Sequence, residues 1–200
     1  MLVSLFSDAS LCHQKRVGGW AAWLKSDRGS LRLGSHFRTA INDTAIAEAM
    51  AAVNGLVAGA KVGIIQENDT LLIQTDNNAV MSVLEGTATR KVTKATRRRR
   101  KLSWSELRRD ASYHNAEIQL VAEAFRRITS ELGLTVRWRH VKGHRGTCDK
   151  RSAVNTFCDQ VAKGHMRTAR KRNIQPRDHA SLTSALAVEN NPSLELAKAA

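Results

Sequence analysis

Four acidic residues, Asp8, Glu48, Asp76 and Asp159, stand where acids have little local reason to be. Asp8 and Asp76 each follow an apolar run, Glu48 interrupts an alanine-rich stretch, and Asp159 lies in an amphipathic one. Singly, each has an ordinary explanation: Asp8-Ala9-Ser10 and Asp76-Asn77-Asn78 are turn formers, and an acid on a helix faces water. Jointly, carboxylates brought within a few ångströms of one another repel strongly unless cations lie among them. Oxygen donors of this kind select hard divalent ions, Mg²⁺ or Mn²⁺. Two such ions about 4 Å apart activate a water and stabilise a leaving 3′-oxygen in an in-line attack on a phosphodiester.

Gathering four such groups requires elements that end or lean toward one place. Leu2 to Ser7 reads as a strand ending at Asp8. The Gly18-Gly19 pair reads as a turn before a second strand, Trp20 to Leu24, and Leu31 to Phe37 alternates as a half-buried third. Hairpin links make these three antiparallel. From Asp43 or Thr44, either a competent N-cap, to about Leu56, apolar spacing of three and four predicts a helix. Leu71 to Thr75 is a buried strand ending in Asp76, followed by a helix over Asn77 to Leu84. A further helix runs from Asn115 to Leu132, closed by Gly133, then a fifth strand from Leu134 to Arg139 and a last helix from Val154 to Lys163. Strands alternating with helices imply parallel pairing through crossovers. The expected class is α/β: a five-stranded mixed sheet, its first three strands antiparallel and its fourth and fifth parallel to the first, flanked by helices. In that sheet the ends of the first and fourth strands are neighbours, and two helices each lean one carboxylate over the shared edge.

A chain of 200 residues, 42% of them hydrophobic, suffices for one core with appendages, and with aromatics at 4% aliphatic side chains must fill it. A net charge of +14 points to a polyanionic partner, nucleic acid before a membrane surface. No apolar run approaches the roughly 20 residues of a bilayer span. The N-terminus has no secretion pattern, and Cys12, Cys148 and Cys158 are scattered. Without a C-x-x-C pair, a zinc site drawn from Cys12, His13, His144 and Cys148 is disfavoured, and reduced thiols in a cytoplasmic, monomeric protein are expected. Positive charge concentrates at 86–114, where ten basic residues face two acidic ones. The run Arg97, Arg98, Arg99, Arg100 and Lys101 suits phosphates, and Trp104 suits packing on a sugar or anchoring the segment. Residues 1–165 form the expected domain with 86–114 as a basic insert; 166–200 form a loosely attached tail, disordered or with short helices.

At these residues the chain resembles the ribonuclease H family, bacterial type 1 enzymes in particular. Phe6-Ser7-Asp8-Ala9-Ser10 resembles the family's strand-terminal Asp-Gly-Ser, and Gly18-Gly19-Trp20-Ala21-Ala22-Trp23-Leu24 its glycine-led second strand. Ala47-Glu48-Ala49-Met50-Ala51-Ala52 is similar to its acid-bearing first helix, and Gln74-Thr75-Asp76-Asn77 to the end of its fourth strand. His140-Val141-Lys142-Gly143-His144-Arg145-Gly146, then Asn155 and Asp159-Gln160-Val161-Ala162, resemble its Val-Lys-Gly-His-x-Gly loop, its asparagine and its Asp-x-x-Ala helix. The resemblance runs in order from about residue 2 to 163. It implies a ribonuclease H-like fold and an endonuclease that cuts the RNA strand of RNA–DNA hybrids by a two-metal-ion mechanism, giving 5′-phosphate and 3′-hydroxyl ends. Asp8, Glu48, Asp76 and Asp159 would bind two Mg²⁺ ions, with Mn²⁺ as substitute. His144 would help a proton or the product phosphate leave, and the basic insert, Asn77 and Asn155 would contact nucleic acid.

Two positions depart from the family pattern. Ala9 stands where glycine is usual, adding a β-carbon near the metal site. Thr44 stands where an asparagine that touches the substrate minor groove is frequent; Asn42, Asn77 and Asn78 are alternative suppliers of that contact. Competing readings are a resolvase- or integrase-like nuclease on the same fold, which generally lacks the Val-Lys-Gly-His-x-Gly loop, and a non-catalytic nucleic-acid-binding relative, whose signature would be a lost ligand. A zinc pair from His140 and His144 fails because Gly143 breaks the helix that such spacing needs.

Overall fold

Alternation over the first 36 residues builds an antiparallel meander of β1 (Leu2–Cys12), β2 (Val17–Ser26) and β3 (Gly29–His36). The computed structural model describes residues 1–91, 93, 103–142 and 149–174. The sheet order is β3-β2-β1-β4-β5, with β4 (Thr70–Thr75) parallel to β1 and β5 (Thr135–His140) parallel to β4. This is the expected mixed sheet.

β1 does not stop at Asp8. It pairs with β2 through Cys12, but with β4 only through Phe6–Gln74. Asp8-Ala9-Ser10 is therefore strand and not turn. Gly18 and Gly19 likewise lie inside β2, where the sequence suggested a turn. Their smallness serves packing. A β-carbon on Gly19 would collide with the Ala162 carbonyl and the Met166 amide of the last helix, and one on Gly34 with the Trp20 carbonyl and Val161.

α1 (Thr44–Lys61) is capped by Asp43, whose Oδ1 accepts from the Ala45 and Ile46 amides at 2.9 and 3.2 Å. Its alanines and Gly55 let it lie close on β1 and β2, against Leu5 and Ala22. α2 (Asn78–Leu84) follows β4. α3 (Trp104–Glu131) spans 28 residues, so Trp104 to His114, expected as part of the insert, are its first turns. A capping box between Ser103 and Glu106 starts it, and Gly133, at φ +56°, lies just beyond its end. α4 (Lys150–Lys171), capped by Asp149, runs past the expected domain limit of 165.

Each sheet face has its own core. Val3, Leu5, Leu71 and Ile73 face α1 in a large aliphatic cluster that extends to α2 and α3. Phe6, Ala21 and Val141 meet Cys158 and Ala162 of α4 on the other face. Among the described residues no helix is long and apolar enough to cross a membrane.

Candidate active site

Strand parity sets the first two acids. Phe6 and Gln74 are the last residues at which β1 and β4 pair with each other, and two residues beyond each stand Asp8 and Asp76. Side chains two apart share a face, so both carboxylates emerge on the side that α4 covers, at one level past the end of the pairing. α4 supplies Asp159 to the same place, and α1 brings Glu48 over the edge from the opposite face. Glu48 is only 8% exposed, which rules out the solvent-facing alternative.

Each acid has one donor of its own. Asp8 Oδ1 accepts from the Ala9 amide at 2.7 Å, and Asp76 Oδ2 from Asn155 Nδ2 at 3.1 Å. Asp159 Oδ2 pairs with Lys163 Nζ at 2.8 Å, one helical turn on. The Asn77 side chain hydrogen-bonds to Glu48 while its Oδ1 caps α2 by accepting from the Ala79 amide at 3.0 Å. Among the described residues no three His, Cys, Asp or Glu side chains already form a cage around an ion position. Like charges with separate donors hold off from one another.

They still feel one another. Burial, then the charges of Asp76 and Asp159, push Asp8 up to about 7 against the Ala9 hydrogen bond. Burial, then Asp8 and Asp76, push Glu48 up to about 8 despite Asn77. A carboxyl that is hard to ionise because it is buried among other carboxylates is one that a divalent cation would ionise. The donor set, all carboxylate oxygens, is the hard type that Mg²⁺ and Mn²⁺ take, so the residues fit such an ion. The Cys158 thiol beside Asp159 is fully buried and pushed up to about 12, so it is no nucleophile.

Of the residues named from sequence, Asp8, Glu48, Asp76 and Asp159 come to one edge together with Asn77 and Asn155. The two asparagines turn toward acids: Asn155 is 5% exposed, with its amide on Asp76. Trp104 opens α3 and is 36% exposed. His144 and Arg97, Arg98, Arg99, Arg100 and Lys101 lie outside the described residues. Two side chains beside the acids, Lys163 and His140, were not assigned to the site from sequence. The Asp159–Lys163 spacing of four on a helix was a legible sign of the first. His140, whose Nε2 is 3.2 Å from the Asp76 carbonyl oxygen, gave none, since strand pairing across β4 and β5 places it.

The RNase H family model matches residues 2–167, the whole sheet with α1 to α3 and most of α4. The chain belongs to the RNase H family. Membership places it among RNase H-type nucleases. Comparison with curated proteins yields no match. LC11-RNase H1, solved in complex with an RNA/DNA hybrid, superposes with a TM-score of 0.51 at 10% identity, covering 84% of this chain and 98% of that one. The N-terminal RNase H domain of a Mycobacterium tuberculosis protein, solved as a fusion with maltose-binding protein, gives 0.49 at 16%, covering 83% and 99%. RNase H1 of the halophilic archaeon Halobacterium salinarum gives 0.47 at 18%, covering 84% and 100%. At these identities the first likeness bears on fold alone, and the other two add nothing to it. The RNase H sheet order and parallel β1–β4 pairing are those expected from sequence.

Proposed function

We propose that this protein is an endonuclease that hydrolyses the RNA strand of RNA–DNA hybrids, leaving 5′-phosphate and 3′-hydroxyl ends. Two Mg²⁺ ions, replaceable by Mn²⁺, would be held by Asp8, Glu48, Asp76 and Asp159. The observation that carries this reading is the arrival of four carboxylates from β1, α1, the end of β4 and α4 at one sheet edge in an RNase H-family chain. When bound, the ions supply an activated water and stabilise the leaving 3′-oxygen.

The chain's own contribution is placement. Asn155 and Asn77 orient Asp76 and Glu48, and Lys163 holds Asp159. His144, four residues after the last residue of β5 in the sequence, would carry the proton or help release the product. The basic segment around Arg97 to Lys101 would grip phosphates without reading sequence. Selection of a hybrid rests on groove shape and the 2′-hydroxyl; the complex formed by LC11-RNase H1 supports it. A reducing, cytoplasmic setting accords with the free thiols Cys12 and Cys158.

The test is incubation with labelled RNA–DNA hybrid, RNA duplex, DNA duplex and a four-way DNA junction, with and without Mg²⁺. Metal-dependent cutting of the RNA in the hybrid alone is expected, and Asp76→Asn should bind hybrid without cutting it. Junction cleavage, or a variant that cuts at the wild-type rate, would overturn the reading.

A further inference from the structure

The long helix α3 has two faces with different sequence rules. Leu107, Ala111, Ile118, Val121, Ala122, Phe125 and Ile128 are buried against the body. On the far side Arg109, Tyr113, Ala116, Leu120 and Glu123 follow one another at steps of four, three, four and three. That alternation keeps residues on one stripe and is the spacing of a helix–helix seam. Arg109, Ser112, Ala116 and Glu123 are exposed and Leu120 is partly buried. Tyr113, the chain's single tyrosine, is 66% exposed, the most of any large apolar side chain among the described residues.

Charge on the stripe is arranged about a centre. Ala116 lies midway between Arg109 and Glu123. A second α3 laid antiparallel across Ala116 therefore sets Arg109 against the second copy's Glu123, and Glu123 against its Arg109. Leu120 comes level with Ser112 and next to Tyr113 of the second copy, so the two larger side chains meet beside a small one. The small side chain of Ala116 lets the two helices approach. A parallel arrangement would oppose Arg109 to itself. Such a pattern, complementary to itself under a two-fold rotation, is what an isologous contact requires. Nucleic acid is the poorer occupant, because Glu123 repels phosphate and Leu120 offers it nothing. We propose that this face of α3 is the interface of an antiparallel homodimer, in place of the monomer expected from sequence. The seam is short, so the pair is weak and concentration-dependent.

Sedimentation velocity of the full chain over a concentration series, in salt that screens its net positive charge, tests this without nucleic acid. The wild type should pass from monomer to dimer. Arg109→Glu and Glu123→Arg should each weaken association by about tenfold. The double variant Arg109→Glu with Glu123→Arg should regain it, and circular dichroism should show all three equally helical. A wild type that stays monomeric throughout, or a double variant no better than the singles, would overturn the proposal. So would Tyr113→Ala reducing hybrid binding while leaving the association state unchanged, which would make the stripe a nucleic-acid contact.

Discussion

Acids gathered at the two ends of β4 are in opposite circumstances. At its N-terminal end Asp69, 1% exposed, receives Arg28 through both oxygens, at 2.5 and 3.1 Å, and the Gln66 amide at 2.9 Å. The α-amino group of Met1 stands 2.9 Å away. These partners, the Arg28 hydrogen bond foremost, hold the Asp69 carboxyl well below the usual carboxylate range. At the C-terminal end burial first, and neighbouring acids after it, push Asp8 and Glu48 up to about 7 and about 8. Burial alone does not separate the two ends, since acids at both are withdrawn from water. The difference is compensation: one end is closed with cations from the chain, and the other is left short of them. A strand that anchors the fold at its start thus presents a destabilising cluster at its finish.

The largest expected effect separates the ends by activity. Asp8→Asn or Glu48→Gln should lower hybrid cleavage by roughly three orders of magnitude, the scale on which metal-site electrostatics act. Metal-free melting temperature at neutral pH should hold or rise, because a strained charge is gone. Asp69→Asn should do the reverse, with a midpoint lower by several degrees and turnover at saturating hybrid near wild type. Equal losses of activity and stability in all three would erase the contrast.

The pH dependence should have two limbs. Asp8 and Glu48 are raised in the fold, so their contribution is complete below an unfolded value of about 4 and disappears as pH rises through about 7 and about 8. Asp69 is lowered, so its contribution is present above about 4 and disappears as pH falls toward its folded value. Metal-free protein should therefore melt highest in mild acid, and saturating Mg²⁺ should remove the alkaline decline. Thermal scans across pH, with and without Mg²⁺, check this; an alkaline limb that Mg²⁺ leaves untouched would count against an ion among these acids. The smallest effect belongs to Lys163→Met. A half-exposed i,i+4 pair contributes under about 1 kcal/mol, so the metal-free midpoint should fall slightly and the difference should vanish once Mg²⁺ takes over as counter-charge.

Much of this was legible in the sequence, for physical reasons that differ by element. The order of strands and the two acids past β1 and β4 follow from apolar runs with a period of two, a local signal. Asp43 as the cap of α1 is equally local. The beginning of α3 was hidden because its basic composition resembles an insert, although Ser103 and Glu106 already spelled a capping box. Gly18-Gly19 misled because glycine serves turns and close approaches alike, and the helix that needs the close approach lies more than a hundred residues on. Asp69 carried no mark at all. Its partner Arg28 is brought to it by the sheet, across the β2–β3 hairpin.

The glycine shelf under α4 ties the acid cluster to two strands, β2 and β3, that contribute no acid to it. A methyl group at Gly19 would push the helix off the sheet, one at Gly34 would collide with the Trp20 carbonyl and the Val161 side chain, and Asp159 and Asn155 ride on that helix. A substitution at a residue with no chemistry of its own would therefore displace Asp159 while the large cluster beneath α1 keeps the chain folded.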